Sequence, residues 1–239
     1  QLNRLLKSEN VKSYMTSYFE DLLKLNNVKT VDDFRFQTFS WNYVKTEFPD
    51  TWRERWRPFV NNRNRQDQMH QDLMAFVDRL LGDDSNYLSI FHGQDYEVSW
   101  TSAPYFNIGG KELDGDFDES DPAKMQIRRF PASDRHGILT PPAYLAVHSN
   151  STNNGLVKRG VFTLKQLMCH EMPGAPADVQ PLSEEPPGFD PIKMTSRQKF
   201  EVLHSSQKAC YFCHKVIDPI GGAFENFSNV GTFNLTERF

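Results

Sequence analysis

Cys210-Tyr211-Phe212-Cys213-His214, continuing as Lys215-Val216-Ile217-Asp218-Pro219-Ile220-Gly221-Gly222-Ala223-Phe224-Glu225-Asn226-Phe227, is the stretch on which this 239-residue chain turns. Its first five residues have the form C-x-x-C-H, the attachment signature of c-type haem. Two thiols three positions apart can each form a thioether with one haem vinyl group. The histidine after the second thiol then lies under the iron as proximal ligand. Cys210, Cys213 and His214 are therefore the expected haem c residues, with one haem covalently attached. Pro219 lacks an N–H and has a fixed φ, and Gly221 and Gly222 permit a tight reversal. That reversal is expected to return Phe224 and Phe227 over a flat apolar ring.

Other readings of the cysteines are weaker. A structural Cys pair beside an exposed histidine is the bland alternative. A zinc site needs four ligands, usually from two such pairs, and only Cys169 and scattered histidines remain. A thioredoxin-like redox pair needs a βαβ setting that the sequence does not offer. Cys169, in Leu167-Met168-Cys169-His170, reads as a buried small side chain at a helix end, with a disulfide to another segment as the alternative.

Four blocks in order carry a wider resemblance. They are Arg135-His-Gly-Ile-Leu-Thr140, Val157-Lys-Arg-Gly-Val-Phe162, a proline-rich stretch, and Cys210 to His214 followed by Ile217-Asp-Pro-Ile-Gly221 and Phe224-Glu-Asn-Phe227. Together they resemble the planctomycete-type cytochrome c family, large exported bacterial proteins of several domains and poorly defined activity. Residues 131–239 resemble its haem-bearing C-terminal module, and residues 8–130 are more loosely similar to the module before it. One departure is Gly222-Ala223-Phe224, where members more often carry a bulky residue after the first glycine. The resemblance implies a bacterial protein located in the periplasm, at the cell surface or outside the cell. It implies redox partner proteins, or further haem domains of the same complex, but no reaction.

The expected fold class is mainly α. A helical part, 1–130, precedes a small cytochrome c-like haem domain, 131–239, with a long proline-rich wrap. Val11, Tyr14, Met15, Tyr18, Phe19 and Leu22 recur at helical spacing within 8–25, and Met69, Leu73, Phe76, Val77 and Leu80 do so within 67–81. Gly82 ends the second helix. Trp41, Phe48, Trp52 and Trp56 fall among short helices and loops. Residues 83–130 read as irregular, apart from a short strand at Glu97–Trp100. Thr140 before Pro141 predicts a capped helix start, and 156–170 a further helix. Six prolines between 173 and 191 predict an extended wrap. Thr195-Ser-Arg-Gln198 has the capping-box form and opens a helix through Phe200 and Leu203.

Composition sets outer bounds. The chain is 38% hydrophobic and 13% aromatic, so large rings supply much of its apolar surface. A net charge of −4 argues against general nucleic-acid binding, which needs a basic stripe. No apolar run reaches the length of a membrane span. The chain opens at Gln1 with a helical pattern already under way, which suggests a piece of a longer protein whose leader lay upstream. Asp114, Asp116 and Asp118 alternate like a calcium loop, but Glu119 and Met125 break the template. A solvated acidic loop is expected there, with calcium as the minor alternative.

The sixth iron ligand separates the functions. Only 25 residues follow His214, and none is Met or His. Met194 and His204 are the nearest upstream candidates, with Met168, His170 and Met172 more distant. If protein fills both axial positions, the function is electron transfer. If the sixth is open, a peroxidase-like or oxidase-like haem enzyme is possible, and Arg128, Arg129, Arg135, Arg159 or Arg197 could act distally or neutralise the haem propionates. A structural or interaction subunit stabilised by haem is the third reading. No Ser-His-Asp order, phosphate loop or H-E-x-x-H motif competes.

Overall fold

The computed structural model describes residues 8–25, 62–82, 86–108, 121, 123–150, 154–174, 193–205 and 208–235. The tryptophans at 41, 52 and 56, the acidic positions 114, 116 and 118, and prolines 176 to 191 lie outside them.

The described part is mainly helical, with one two-stranded sheet. Helix α1 (Glu9–Leu23) starts at Ser8, whose hydroxyl accepts from the Val11 N–H, and carries Glu9 in its first turn. Both suit the positive end of the helix. It stops at Lys24, which is left-handed at φ 59° and returns its N–H to the last turn. Phe19 and Leu23 are buried against α2 (Asn62–Gly82), which contributes Met69, Leu73, Phe76, Val77 and Leu80. On α2 the helical spacing read from the sequence is the packed face, and the helix ends at Gly82 as expected. On α1 it holds only in part: Phe19 is buried and Val11, Met15 and Leu22 are half-buried, but Tyr14 and Tyr18 are exposed and Leu23 takes the second buried place.

A short helix, α3 (Ser89–His92), leads to β1 (Asp95–Ser99). β1 pairs antiparallel with β2 (Met125–Arg129), Asp95 opposite Arg129 and Ser99 opposite Met125. β2 corrects the irregular reading of this region. Its residues are Met-Gln-Ile-Arg-Arg, and Ile127 is exposed, so the strand lacks the buried alternation that marks strands in sequence. It is held by the ladder and by an Arg129–Asp95 ion pair at 3.0 Å. On β1, Tyr96 stacks on Phe76 with centroids 4.9 Å apart, and its hydroxyl donates to the Gly137 carbonyl.

Helix α4 (Pro142–Val147) has Pro141 at its cap position with no side-chain cap bond. Thr140 does not cap it. Its hydroxyl turns back to donate to the His136 carbonyl and accept from the His136 N–H, closing a loop that includes Gly137. Helix α5 (Leu156–Phe162) loosens into a π-turn at Thr163–Leu167 and ends at Met168. Cys169 follows at φ 51°, exposed rather than buried. Helices α6 (Ser196–Ser205) and α7 (Lys208–Gly222) complete the described elements.

Two arginines fasten the C-terminal segment. Arg135 donates to the carbonyls of Thr140, Tyr105 and Gly231, with the Phe106 and Phe227 rings 5.1 and 5.2 Å from its guanidinium. Arg159 donates to the carbonyls of Leu145, Phe224, Phe227 and Ser228 and to the Ser149 hydroxyl. Burial lowers both guanidinium pKa values to about 9, so both stay charged at neutral pH. One hydrophobic cluster takes side chains from either side of position 130, Leu73 and Tyr96 as well as Leu145 and Phe224. Among the described residues, no helix is long and apolar enough to cross a membrane.

Candidate functional site

α6 and α7 enclose a cleft of about 600 Å³. Sequence dictates how each helix enters it. Thr195 and Gln198 exchange both bonds of a capping box, at 2.9 and 3.2 Å, and fix the start of α6. Phe200 and His204, four apart on α6, share one face and stack with ring centroids 5.2 Å apart. On α7, Ile217 and Gly221 turn to α5, while His214 and Asp218, also four apart, turn to α6. α7 contacts α5 closely because both helices carry glycine at the crossing: a Cβ on Gly160 would meet the Ile217 carbonyl oxygen at 2.7 Å.

Leu156, Phe200, Tyr211 and Pro219 give the cleft apolar walls, and Arg197, Lys215 and Glu201 are charged residues of its lining besides Asp218. Arg197 is paired with Glu225 at 2.8 Å. The polar centre is Asp218. One of its oxygens lies 2.9 Å from Nδ1 of His214, and the other 2.7 Å from Nδ1 of His204. The two imidazole rings sit side by side, centroids 3.6 Å apart. Burial alone would raise the Asp218 pKa, but the hydrogen bonds from His204 and His214 outweigh it and hold the carboxyl at about 2. An ionised carboxylate only accepts. Both Nδ1 atoms must therefore carry the proton, and in the neutral imidazole the lone pair is left on Nε2. His204, His214 and Asp218 also offer ligand atoms within 4.8 Å of one another, close enough to hold a metal ion.

The expected site residues divide into groups. His214, Pro219 and His204 line the cleft. Cys210 and Cys213 are on α7 beside Tyr211 and His214, half-buried and not in a disulfide, but neither is among the lining residues of the cleft. Phe224 and Phe227 are not in the cleft. α7 continues through Pro219 to Gly222, so the chain reverses only afterwards, and both rings enter the core. There Phe224 lies 6.2 Å from Tyr144 and Phe227 5.4 Å from Phe233. Met194 is half-buried in the turn before α6 and is not among the lining residues. Met168 and His170 are exposed at the end of the π-turn. Of the five arginines, Arg197 alone lines the cleft. Arg135 and Arg159 are structural, and Arg128 and Arg129 belong to β2.

Asp218 was not singled out by sequence reasoning. Its signal is its place four residues after His214 in a helical segment, where a carboxylate and an imidazole share a face.

Residues 135–237 match the family model described as PSCyt3, protein of unknown function (DUF1588). That is a planctomycete cytochrome-type domain, in agreement with the resemblance carried by the sequence blocks. No curated protein and no solved structure matches the chain.

Proposed function

We propose that the C-terminal part of this chain is an exported c-type haem module that carries out electron transfer within a larger redox protein or complex. The observation that carries the reading is the state of His214. Its Nδ1 is occupied by Asp218, so Nε2 is the atom offered to a metal, directly after two thiols spaced for thioether attachment. Metal-ligating histidines generally donate their other ring N–H to a carboxylate or carbonyl in this way.

The donor set fits haem c. Cys210 and Cys213 would hold it covalently and Nε2 of His214 would bind its iron. Lys215 supplies positive charge suited to a propionate, Arg197 is already paired with Glu225, and Leu156, Phe200 and Pro219 supply apolar contact. Bound there, haem supplies a one-electron couple. The protein fixes the imidazole tautomer, limits water through the apolar walls and presents the exposed Tyr211 and Phe212 beside the attachment site. Covalent haem attachment takes place outside the bacterial cytoplasm, which is the ground for proposing export.

The experiment is expression of the full chain with an export leader and the haem-maturation machinery, followed by denaturing electrophoresis with haem staining and a reduced pyridine spectrum. A covalently coloured band is expected. Colourless protein, under conditions that mature a control cytochrome, removes the proposal.

A haem enzyme with an open sixth position is the second reading. It is favoured by His204 being engaged by the same carboxylate as His214, which draws one of the two nearest sixth-ligand candidates to the proximal side. Added cyanide separates the two: an unchanged low-spin spectrum supports electron transfer, and a cyanide complex supports the enzyme.

A further inference from the structure

We infer that His204 is a positioning residue of the proximal side, and that His204, Asp218 and His214 act as one relay setting the tautomer and basicity of the iron-binding imidazole. The redox consequence rests on the haem reading above; the tautomer does not.

The geometry is specific. His204 and His214 use the same ring atom, Nδ1, on the two oxygens of one carboxylate, at 2.7 and 2.9 Å. Their rings lie beside each other, so His204 stands next to the proximal imidazole. Asp218 sits on a helix whose own turn brings His214 within reach, so one hydrogen bond already forms locally. A carboxylate with a single partner can still rotate about χ2. The bond from His204, on a different helix, pins the second oxygen and removes that freedom. Phe200 in turn stacks on His204 and holds its ring. The Thr195–Gln198 capping box fixes the start of the helix carrying both.

A pinned carboxylate keeps the proton on Nδ1 of His214 and increases the electron donation available at Nε2. Greater donation favours ferric over ferrous iron and lowers the potential. Loss of His204 should therefore weaken the Asp218–His214 bond and raise the potential, in the same direction as loss of Asp218. A mere charge effect has the opposite sign. If His204 only drew charge from the carboxylate, its removal would strengthen the push on His214 and lower the potential.

The test uses the full chain with His204→Ala, His204→Asn and Asp218→Asn. Asparagine can place an N–H near the position of the histidine Nδ1. Nitrogen-15 NMR of the imidazoles in the full chain before haem attachment, where Nε2 is free to take the proton, reads the His214 tautomer, and a redox titration reads the potential of loaded protein. In the unsubstituted chain His214 should be protonated at Nδ1. In His204→Ala a measurable Nε2–H population should appear, His204→Asn should restore part of the original signal, and the potential should rise by less than in Asp218→Asn. Three results would each overturn the inference: a His214 protonated at Nε2 in the unsubstituted chain, an unchanged tautomer in His204→Ala, or a potential that stays fixed or falls. If no haem is attached, the haem reading fails alone, and the NMR still decides the role of His204.

Discussion

Gly160 and Gly221 meet backbone to backbone where α5 crosses α7. A Cβ built on Gly221 would lie 2.4 Å from the Leu156 carbonyl oxygen and 3.7 Å from the Cα of Gly160. Neither neighbour is a flexible side chain, so an added methyl must push the helices apart. Gly221→Ala is expected to destabilise the protein by about 1–3 kcal/mol, the usual cost of overpacking. Gly222→Ala is the control, because its Cβ would meet only the end of the Arg197 side chain, at 3.4 Å. Urea unfolding should place Gly221→Ala well below Gly222→Ala. Equal stabilities would show that the helices are not in contact there.

Arg159 is expected to be irreplaceable by lysine. Its guanidinium serves four carbonyls and a hydroxyl contributed by α4, the loop after it and residues 224–228. An ammonium group cannot reproduce that planar fork. Arg159→Lys should cost several kcal/mol, on the order of 3, by leaving buried acceptors unpaired. Arg159→Met, which also removes the charge, should be at least as unstable. The midpoint of urea unfolding measures both, and a shift of under about 1 kcal/mol in either would contradict the role assigned to Arg159.

Much of the site can be traced in the sequence, and the remainder has physical causes. α2 and α6 are legible because their apolar residues recur every three or four positions and because Gly82 and the Thr195–Gln198 pair mark an end of each; on α1 the same spacing finds the helix but places the exposed Tyr14 and Tyr18 on its packed face. β2 is not, since the ladder holds polar residues that carry no alternation. Gly221 after Pro219 reads as a turn residue but serves a helix crossing, and a short-range reading of glycine cannot distinguish the two. Phe224 and Phe227 were assigned to the haem for the same reason: once α7 continues, both rings fall in the core. The arginines could not be ranked by sequence, because the difference between Arg159 and Arg197 is whether distant carbonyls converge on them. His214 can be singled out from the C-x-x-C-H spacing alone, whereas the Asp218–His204 bond requires the packing of α6 on α7.

Two buried groups titrate in opposition. His148 is enclosed by Tyr144 and Phe162, and Nε2 faces the Leu23 carbonyl. Burial lowers its pKa from 6.5 to about 4. The unfolded chain therefore takes up this proton first, so the contribution of neutral His148 is complete above pH 6.5 and lost as pH falls to about 4. Asp72 is buried with Gln68, Ser99 and Ser102, and burial raises its pKa from 3.8 to about 6. Its contribution is complete below pH 3.8 and lost as pH rises to about 6. Each is worth roughly 3 kcal/mol, so the two slopes nearly cancel in the unsubstituted protein. Asp72→Asn removes one of them. Its unfolding free energy should climb by roughly 3 kcal/mol between pH 4 and pH 6.5, and a profile as level as that of the parent would refute the assignment.

Met194 and His204 are predicted to respond differently in the haem-loaded protein. Met194 lies in the turn that precedes α6, outside the His204–Asp218–His214 group. His204 is bonded to the partner of the proximal ligand. If Met194 is the sixth ligand, Met194→Ala should convert low-spin iron to high-spin and admit cyanide. His204→Ala should leave the spin state alone while moving the potential. Optical and paramagnetic resonance spectra of the two variants, recorded oxidised and reduced, make the comparison. A low-spin Met194→Ala protein that excludes cyanide eliminates Met194 as sixth ligand. A high-spin His204→Ala protein would return His204 to the distal side and dissolve the relay.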